Sequence, residues 1–280
     1  MNAQSPNDSA ESAKESAKDA ARSAERSAPV RALARGGVAV VGLLHIIIGA
    51  IAISVATGAG GGEADQSGAL HQLAKTPGGT IVLWSVVIGM LALIVWQLLE
   101  VFLMPITDEK RKWAKRVVEF GKAVAYVIIG FTAFTFARGS YASSEDATQA
   151  ASALLLSAPG GVILLAVIGV VVIITGGSFV FRGISTNFTS DIRVPPSPYG
   201  AVVVTLGVIG YVAKGLIIGV AGAMVVYAAF TTDSDKAAGL DGAIKSIAGL
   251  PFGNVILFAT GVGLIAYGVF FLVRARLVRL

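Results

Sequence analysis

The chain has 280 residues, of which 55% are hydrophobic and only 14% are charged, and its formal net charge is +5. A soluble domain of this size needs more charge to cover its surface, so the composition excludes an ordinary soluble protein and favours an integral membrane protein. The absence of cysteine excludes disulfide bonds, thiolate metal sites and a thiol nucleophile.

Residues 1–34 form a polar tail of Ser, Ala and alternating charges. Basic residues recur at helical spacing from Lys14 to Arg26, with an acidic stripe beside them and nothing larger than Ala on the apolar face. We therefore expect a solvated helix or a disordered tail. A helix resting on anionic lipid is the alternative, and the acidic stripe disfavours it. No apolar core precedes Val38, so the tail is not expected to be a cleaved signal peptide.

Six apolar segments follow, each close to the roughly 20 residues that a helix needs to cross a bilayer. They are 36–57, 79–104, 117–137, 161–181, 206–230 and 253–273. Small residues are frequent in all six, as expected where lipid-embedded helices approach closely. The sequence thus predicts an all-α polytopic membrane protein with six transmembrane helices.

Basic residues are distributed unevenly between the two ends of these segments. Sixteen Lys and Arg lie in the tail, in the connections after the second and fourth spans, and at the C-terminus. The other three connections hold only four basic residues and seven acids. Because basic residues are retained on the cytoplasmic side, both termini are expected to be cytoplasmic.

A motif in which Gly follows Pro by two residues opens three of the apolar segments, at Pro77, Pro159 and Pro251. Pro suits the first turn of a helix, where its missing N–H would be unpaired anyway. Each motif begins the second helix of a two-helix repeat, and all three repeats start on the same side. Parallel repeats of this kind predict a pseudo-three-fold axis along the membrane normal.

The first helices of the repeats carry positions seven residues apart, which lie on one helix face. These positions hold Gly42 and Gly49 in repeat one, Tyr126 and Ala133 in repeat two, and Gly215 and Gly222 in repeat three. Apart from Tyr126, the pattern predicts a face of small residues on each first helix.

Short amphipathic stretches precede the Pro in two outer connections, with Leu70 and Leu73 in one and Ile244 and Ile247 in the other. Their spacing predicts short helices lying in the outer membrane interface. The predicted organisation is a tail (1–34), repeat one (35–104), a basic cytoplasmic linker (105–116), repeat two (117–182), a second cytoplasmic linker (183–205), repeat three (206–276) and a C-terminal tail (277–280).

Gly-x4-Gly in a first helix followed by Pro-x-Gly at the start of a second, repeated three times, resembles the bacterial membrane family called domain of unknown function 1206. The third repeat, with Gly210-Tyr-Val-Ala-Lys-Gly215, is the closest, and the second departs most because Tyr126 stands where Gly is usual. The resemblance covers about residues 35–276. It implies the repeat fold and a bacterial plasma membrane location, and it implies no activity.

Ionisable and tyrosine side chains within or at the ends of the spans are few, and they are candidates for an axial cavity or an inner mouth. They are His45, Glu100, Glu119, Lys122, Tyr126, Arg182, Tyr211, Lys214 and Tyr267. Each has a structural alternative: a neutral His bonded to a neighbouring helix, charged end-caps that reach the surface or pair locally, and tyrosines packed in the core. For Lys214 the two expectations are extension to the cytoplasmic surface or an ion pair with Glu100.

No pattern in the chain indicates a catalytic, cofactor or metal site. His45 has no second ligand at suitable spacing, and the acids from Asp233 to Asp241 lack the Glu that ends a calcium loop. Basic residues follow the topology, so no nucleic-acid binding is expected. We therefore expect a non-catalytic scaffold, lipid-binding or partner-binding membrane module, not an enzyme, with membrane lipid and an unidentified protein as partners. The alternative is a small transporter or channel with a cavity on the pseudo-three-fold axis.

Overall fold

The computed structural model describes residues 28–59, 63–103, 127, 130–140, 143–237 and 239–277. Within these ranges the chain is built from helices joined by short connections, with no β-strand. The predicted all-α class is confirmed. Most of the tail, the basic linker 105–116 and most of the predicted span 117–137 lie outside the described residues.

The α-helices are, in chain order, α1 (Ala28–Ala56), α2 (Gln66–Ala74), α3 (Gly79–Leu103), α4 (Ser144–Leu156), α5 (Gly161–Ile184), α6 (Tyr199–Thr231), α7 (Leu240–Ala248) and α8 (Gly253–Leu277). Residues 130–137 are also helical. Two 3-10 helices, Asn187–Asp191 and Ser234–Lys236, lie in the connections on either side of α6.

Four helices of the described part are long and apolar enough to cross a bilayer, as expected of a membrane protein: α1 from Arg35 onward, α5, α6 and α8. In α3, which extends over Gly79–Leu103, the apolar stretch found among the described residues is Gly79–Leu91. Helix α6 begins at Tyr199, earlier than the predicted span 206–230. The Pro-rich segment ends at Pro198, and a helix can start directly after it.

The three Pro residues lie in turns before the helices, so the expectation that they occupy the first helical turn is wrong. In each turn the N–H of the Gly that follows Pro by two donates to the carbonyl oxygen of the residue before Pro, at 2.9, 2.9 and 2.8 Å. The intervening residues have positive φ: Gly78 at 80°, Gly160 at 77° and Phe252 at 61°. A Pro at the second position and a residue with positive φ at the third position are typical of a type II turn. The long helix begins directly after this turn.

The Gly after each turn is required by close packing. A Cβ on Gly79, Gly161 or Gly253 would overlap the carbonyl oxygen of the residue six positions earlier, at the end of the preceding short helix. A side chain there would push the short helix away from the long one. The Pro-x-Gly motif therefore joins a short loop helix tightly to a long helix, three times over.

The predicted small faces are confirmed as helix-contact surfaces. Helix α8 packs on α1, and α5 packs on α6, so the second helices of repeats three and two contact the first helices of repeats one and three. The facing pairs are Gly42 with Gly268, Gly49 with Gly261, Gly215 with Gly176, and Gly222 with Gly169. A Cβ on Gly49 would lie 2.5 Å from the carbonyl oxygen of Gly261, so the backbones are nearly in contact.

Helix α3 likewise packs on residues 130–137 of the next repeat, but larger side chains lie in this contact. Val86 and Val87 of α3 pack on Ala133, and Met90 lies against Gly130. Val87 lies ten residues after the Pro of its repeat, and the residues at the same position are Gly169 in α5 and Gly261 in α8. At this position the contact between α3 and residues 130–137 has Val in place of the Gly found in the other two.

Helices α2, α4 and α7 meet at one end of the bundle, and we call them the loop-helix cap. The backbone N–H of Ala64 donates to Asp241 Oδ1 at 2.7 Å, Ser67 and Ser144 share a hydrogen bond, and Lys245 pairs with Glu145 at 3.1 Å. These bonds join the connections of all three repeats. Helix α4 had not been predicted.

The predicted short helices in the first and third connections are present as α2 and α7. Their apolar residues Leu70, Leu73, Ile244 and Ile247 are buried together with Leu83 and Leu257 in the main core. The cap therefore seals the bundle end through hydrophobic packing.

Candidate functional site

The structure brings five of the nine predicted site residues together: His45, Arg182, Tyr211, Lys214 and Tyr267. They come from α1, α5, α6 and α8, toward the end of the bundle opposite the loop-helix cap. Arg274 of α8 and Asp191 of the 3-10 helix complete the group, which we call the basic–aromatic cluster.

Lys214 lies among aromatic rings. Its Nζ is 3.4 Å from the hydroxyl of Tyr267, 4.6 Å from the ring centroid of Tyr267 and 5.1 Å from that of Phe179. Cation–π contacts of this kind contribute about 0.5–2 kcal/mol, the larger value applying when the cation is desolvated. None of the carboxylates described in the structure pairs with Lys214.

Asp191 holds two arginines. Arg182 of α5 forms an ion pair with its Oδ2, and Arg274 Nη2 of α8 lies 3.3 Å from the same oxygen. Both arginines stand twenty-three residues after the Pro of their repeats. One carboxylate in the connection between α5 and α6 therefore ties together the equivalent ends of two second helices.

The tyrosines lie in a closely packed aromatic core. Tyr211 stacks on Phe188 with centroids 5.1 Å apart, and Tyr267 meets Tyr211 edge-on at 5.2 Å. The two tyrosines are only 3% and 2% exposed. The hydroxyl of Tyr211 accepts from Arg274 Nη1 at 3.4 Å, and that of Tyr267 from Lys214. This arrangement is the core packing given above as the structural alternative for tyrosines.

His45 connects the cluster to α1. Its Nδ1 is 2.7 Å from the carbonyl oxygen of Val41, one turn earlier in the same helix. The expected hydrogen bond to a neighbouring helix is therefore replaced by a bond within α1. The neighbour is reached by the imidazole ring, whose centroid lies 4.7 Å from that of Tyr267.

Four predicted site residues are not placed in the cluster. Glu119, Lys122 and Tyr126 lie outside the described residues, and the same holds for the side chain of Glu100 in α3. The predicted pairs of Glu100 with Lys214 and of Glu119 with Lys122 remain predictions.

Two members of the cluster, Asp191 and Arg274, were missed from the sequence, and so was Phe179, whose ring lies beside Lys214. Arg274 had a usable signal, because it occupies the same repeat position as Arg182. Asp191 and Phe179 carried no such signal, since neither stands out by spacing or motif.

The cluster holds three cationic side chains and one carboxylate, so its net charge is positive with His45 neutral. Its members include no serine, threonine or cysteine. Among the residues that the structure describes, no three His, Asp or Glu side chains could together hold a metal ion. The geometry of this group is suited to locking helices together and to attracting anions.

A family model described as Domain of Unknown Function (DUF1206) matches the chain three times, over residues 36–103, 119–186 and 209–277. An uncharacterized protein of Bacillus subtilis (strain 168), YxxB, is 28% identical over 262 residues, which cover 88% of this chain and 90% of that protein. No solved structure matches. The three matches span most of the chain and correspond to the three repeats, so the protein belongs to the Domain of Unknown Function (DUF1206) family.

Proposed function

We propose that the protein is a non-catalytic membrane module that binds lipid or a protein partner, and that it does not conduct solutes. The observation that carries this proposal is the packing of the basic–aromatic cluster. A transport path needs polar groups that solvent can reach, whereas Tyr211 and Tyr267 are almost fully buried against other rings. The cations of the cluster are held by rings, hydroxyls and Asp191.

The proposed architecture is six transmembrane helices around a pseudo-three-fold axis, in the bacterial plasma membrane, with cytoplasmic termini. Three family matches of similar length support three equivalent repeats. The contacts between repeats also support the three-fold arrangement. The second helix of repeat one contacts the first helix of repeat two, that of repeat two contacts repeat three, and that of repeat three contacts repeat one. This order of contacts is what a closed three-fold arrangement requires.

A small transporter or channel is the second candidate, and Lys214 is the observation that favours it. An ionisable group within an apolar helix is a functional candidate by default, since burying a charge in the bilayer is costly. Under this alternative, Lys214 and the arginines would attract an anion that crosses the membrane along the axis.

Flux measurements distinguish the two candidates. The purified full-length protein is reconstituted in liposomes, and chloride, phosphate and proton flux are recorded beside empty vesicles. The proposed function predicts rates equal to those of empty vesicles, because the aromatic rings of the cluster are buried and closely packed. Lys214→Met, which keeps an extended side chain without the charge, serves as the matched variant.

Anion flux that exceeds the empty-vesicle rate and falls in the Lys214→Met variant would establish the transport alternative. Flux that is present in both proteins would also refute the proposal, and it would place the path away from Lys214.

A further inference from the structure

A groove of about 870 Å³ lies between α1, α6 and α8, away from the cap. Its walls are mainly apolar and include Val202, Leu206, Val269 and Leu272. This volume lies within the roughly 300–1,000 Å³ that small-molecule sites occupy. A groove with such walls in the apolar part of the bundle is suited to hydrocarbon.

The rim of the groove has a different chemistry from its walls. Arg35 at the start of the apolar part of α1 and Arg276 near the end of α8 both line it, together with Tyr199 at the first turn of α6. Both arginine side chains are exposed, and the groove lining contains no acidic residue. The rim is therefore positively charged and rich in hydrogen-bond donors, whereas the walls are apolar.

We propose that this groove binds one anionic phospholipid from the cytoplasmic leaflet, with its acyl chains along the apolar walls and its phosphate between Arg35 and Arg276. The inference rests on the proposed function, for which it names the site and the ligand class. Guanidinium groups donate paired hydrogen bonds to phosphate oxygens, a geometry that ammonium groups do not provide. In the proposed topology this rim faces the cytoplasm, where anionic lipid attracts basic residues near the membrane surface.

The occupant has to satisfy both parts of the site. A soluble phosphate compound would leave the apolar walls uncovered, and an apolar helix would leave two arginines without a counter-charge. A phospholipid has both features in one molecule, and in the proposed topology it lies at the right depth.

The test uses the delipidated full-length protein in detergent, titrated with dioleoyl phosphatidylglycerol or dioleoyl phosphatidylcholine and followed by native mass spectrometry. The two lipids share their acyl chains and differ in net charge. We expect phosphatidylglycerol to bind about thirtyfold more tightly, since each of the two arginines near the headgroup contributes about 1 kcal/mol. The double variant Arg35→Gln/Arg276→Gln should lose this preference and bind both lipids equally.

Arg193→Gln is the matched control, because Arg193 lies in the same connection as Pro195 yet is not part of the groove lining. It should keep the preference for phosphatidylglycerol. A photo-crosslinking residue at position 206 identifies the occupant in cell membranes, where we expect an adduct of phospholipid mass.

Three results would overturn the inference: an unchanged preference in the double variant, an equal loss in Arg193→Gln, or an adduct at position 206 with protein. Tight lipid binding that is indifferent to the groove variants would refute this site and leave the proposed function intact. Solute flux across liposomes would refute the proposed function, whatever the groove binds.

Discussion

Asp65 shows how burial in the loop-helix cap acts on a single ionisable side chain. It is the N-cap of α2, where its Oδ1 accepts from the N–H of Gly68 at 2.9 Å, and only 2% of the residue is exposed. The pKa of this carboxyl is raised from 3.8 to about 6, mainly by burial and also by the nearby carboxylates of Glu63 and Asp241, while hydrogen bonds from Gly68 and Ser144 oppose the rise. The folded protein therefore favours protonated Asp65.

Asp65→Asn should stabilise the protein at pH 8 and have little effect at pH 4. An acid whose pKa is higher in the folded state stabilises the fold below its unfolded pKa, here 3.8, and this stabilisation is lost as pH rises through about 6. The rise in the pKa of Asp65 corresponds to a change of at most about 3 kcal/mol in the free energy of unfolding. Asn keeps the cap to Gly68 without a charge. Thermal unfolding in detergent at pH 4, 6 and 8 measures the effect.

Asp146→Asn is the control for this prediction, because Asp146 is an exposed acid of the same cap, in the first turn of α4. This variant should not be more stable than the parent at pH 8, because the carboxylate of Asp146 is exposed to water and its removal relieves no buried charge. If the difference in melting temperature between Asp65→Asn and the parent is the same at all three pH values, the buried carboxyl does not titrate in this range.

At the scale of the helices, packing depends on which of two adjacent glycines faces the seam. In α5, a Cβ on Gly176 would lie 2.6 Å from both the carbonyl oxygen of Gly215 and the backbone nitrogen of Gly219. A Cβ on the next residue, Gly177, would meet nothing within 4 Å. The two positions have the same residue type in the same helix, so they separate packing from helix propensity.

Gly176→Ala should destabilise the protein by about 1–3 kcal/mol, because the added methyl group forces α5 and α6 apart. Gly177→Ala should be neutral or stabilising, by up to about 1 kcal/mol, since Ala favours helix over Gly. Thermal unfolding in detergent compares the two variants with the parent. Equal melting temperatures for the two would contradict the close α5–α6 contact.

At the scale of the whole molecule, the cap and the basic–aromatic cluster close opposite ends of the bundle. The cap joins the connections that precede the three Pro-x-Gly turns, through Asp241, Ser67 and Lys245. The cluster joins α5, α6 and α8 through Asp191 and the aromatic rings. In the proposed topology the cap faces outward and the cluster lies toward the cytoplasm.

Single cysteines test this topology directly, because the chain contains none. Ser157→Cys, in an exposed turn after α4, should react with a membrane-impermeant maleimide on intact cells. Ser190→Cys, in the connection between α5 and α6, should react only after the membrane is permeabilised. The reverse pattern of labelling would invert the proposed orientation.

The sequence by itself determined the helical class, the three repeats and the small-residue faces of the first helices. These features depend on local properties: apolar length, positions seven apart on one face, and a Pro-x-Gly turn such as Pro159-Gly160-Gly161. Local spacing also identified Tyr211, Lys214 and Tyr267 as unusual groups within apolar helices. It misplaced the three Pro residues, because a type II turn before a helix and a first helical turn both favour Pro.

Only the tertiary structure decided which surfaces meet. The small face of α1 contacts α8, more than 200 residues later in the chain, and no local pattern specifies that partner. Asp191 joins Arg182 and Arg274 for the same reason, since their distance depends on how α5 and α8 are placed against α6. The spacing of residue types along a helix determines which side chains lie on each of its faces. The packing of the helices against one another determines which faces are in contact.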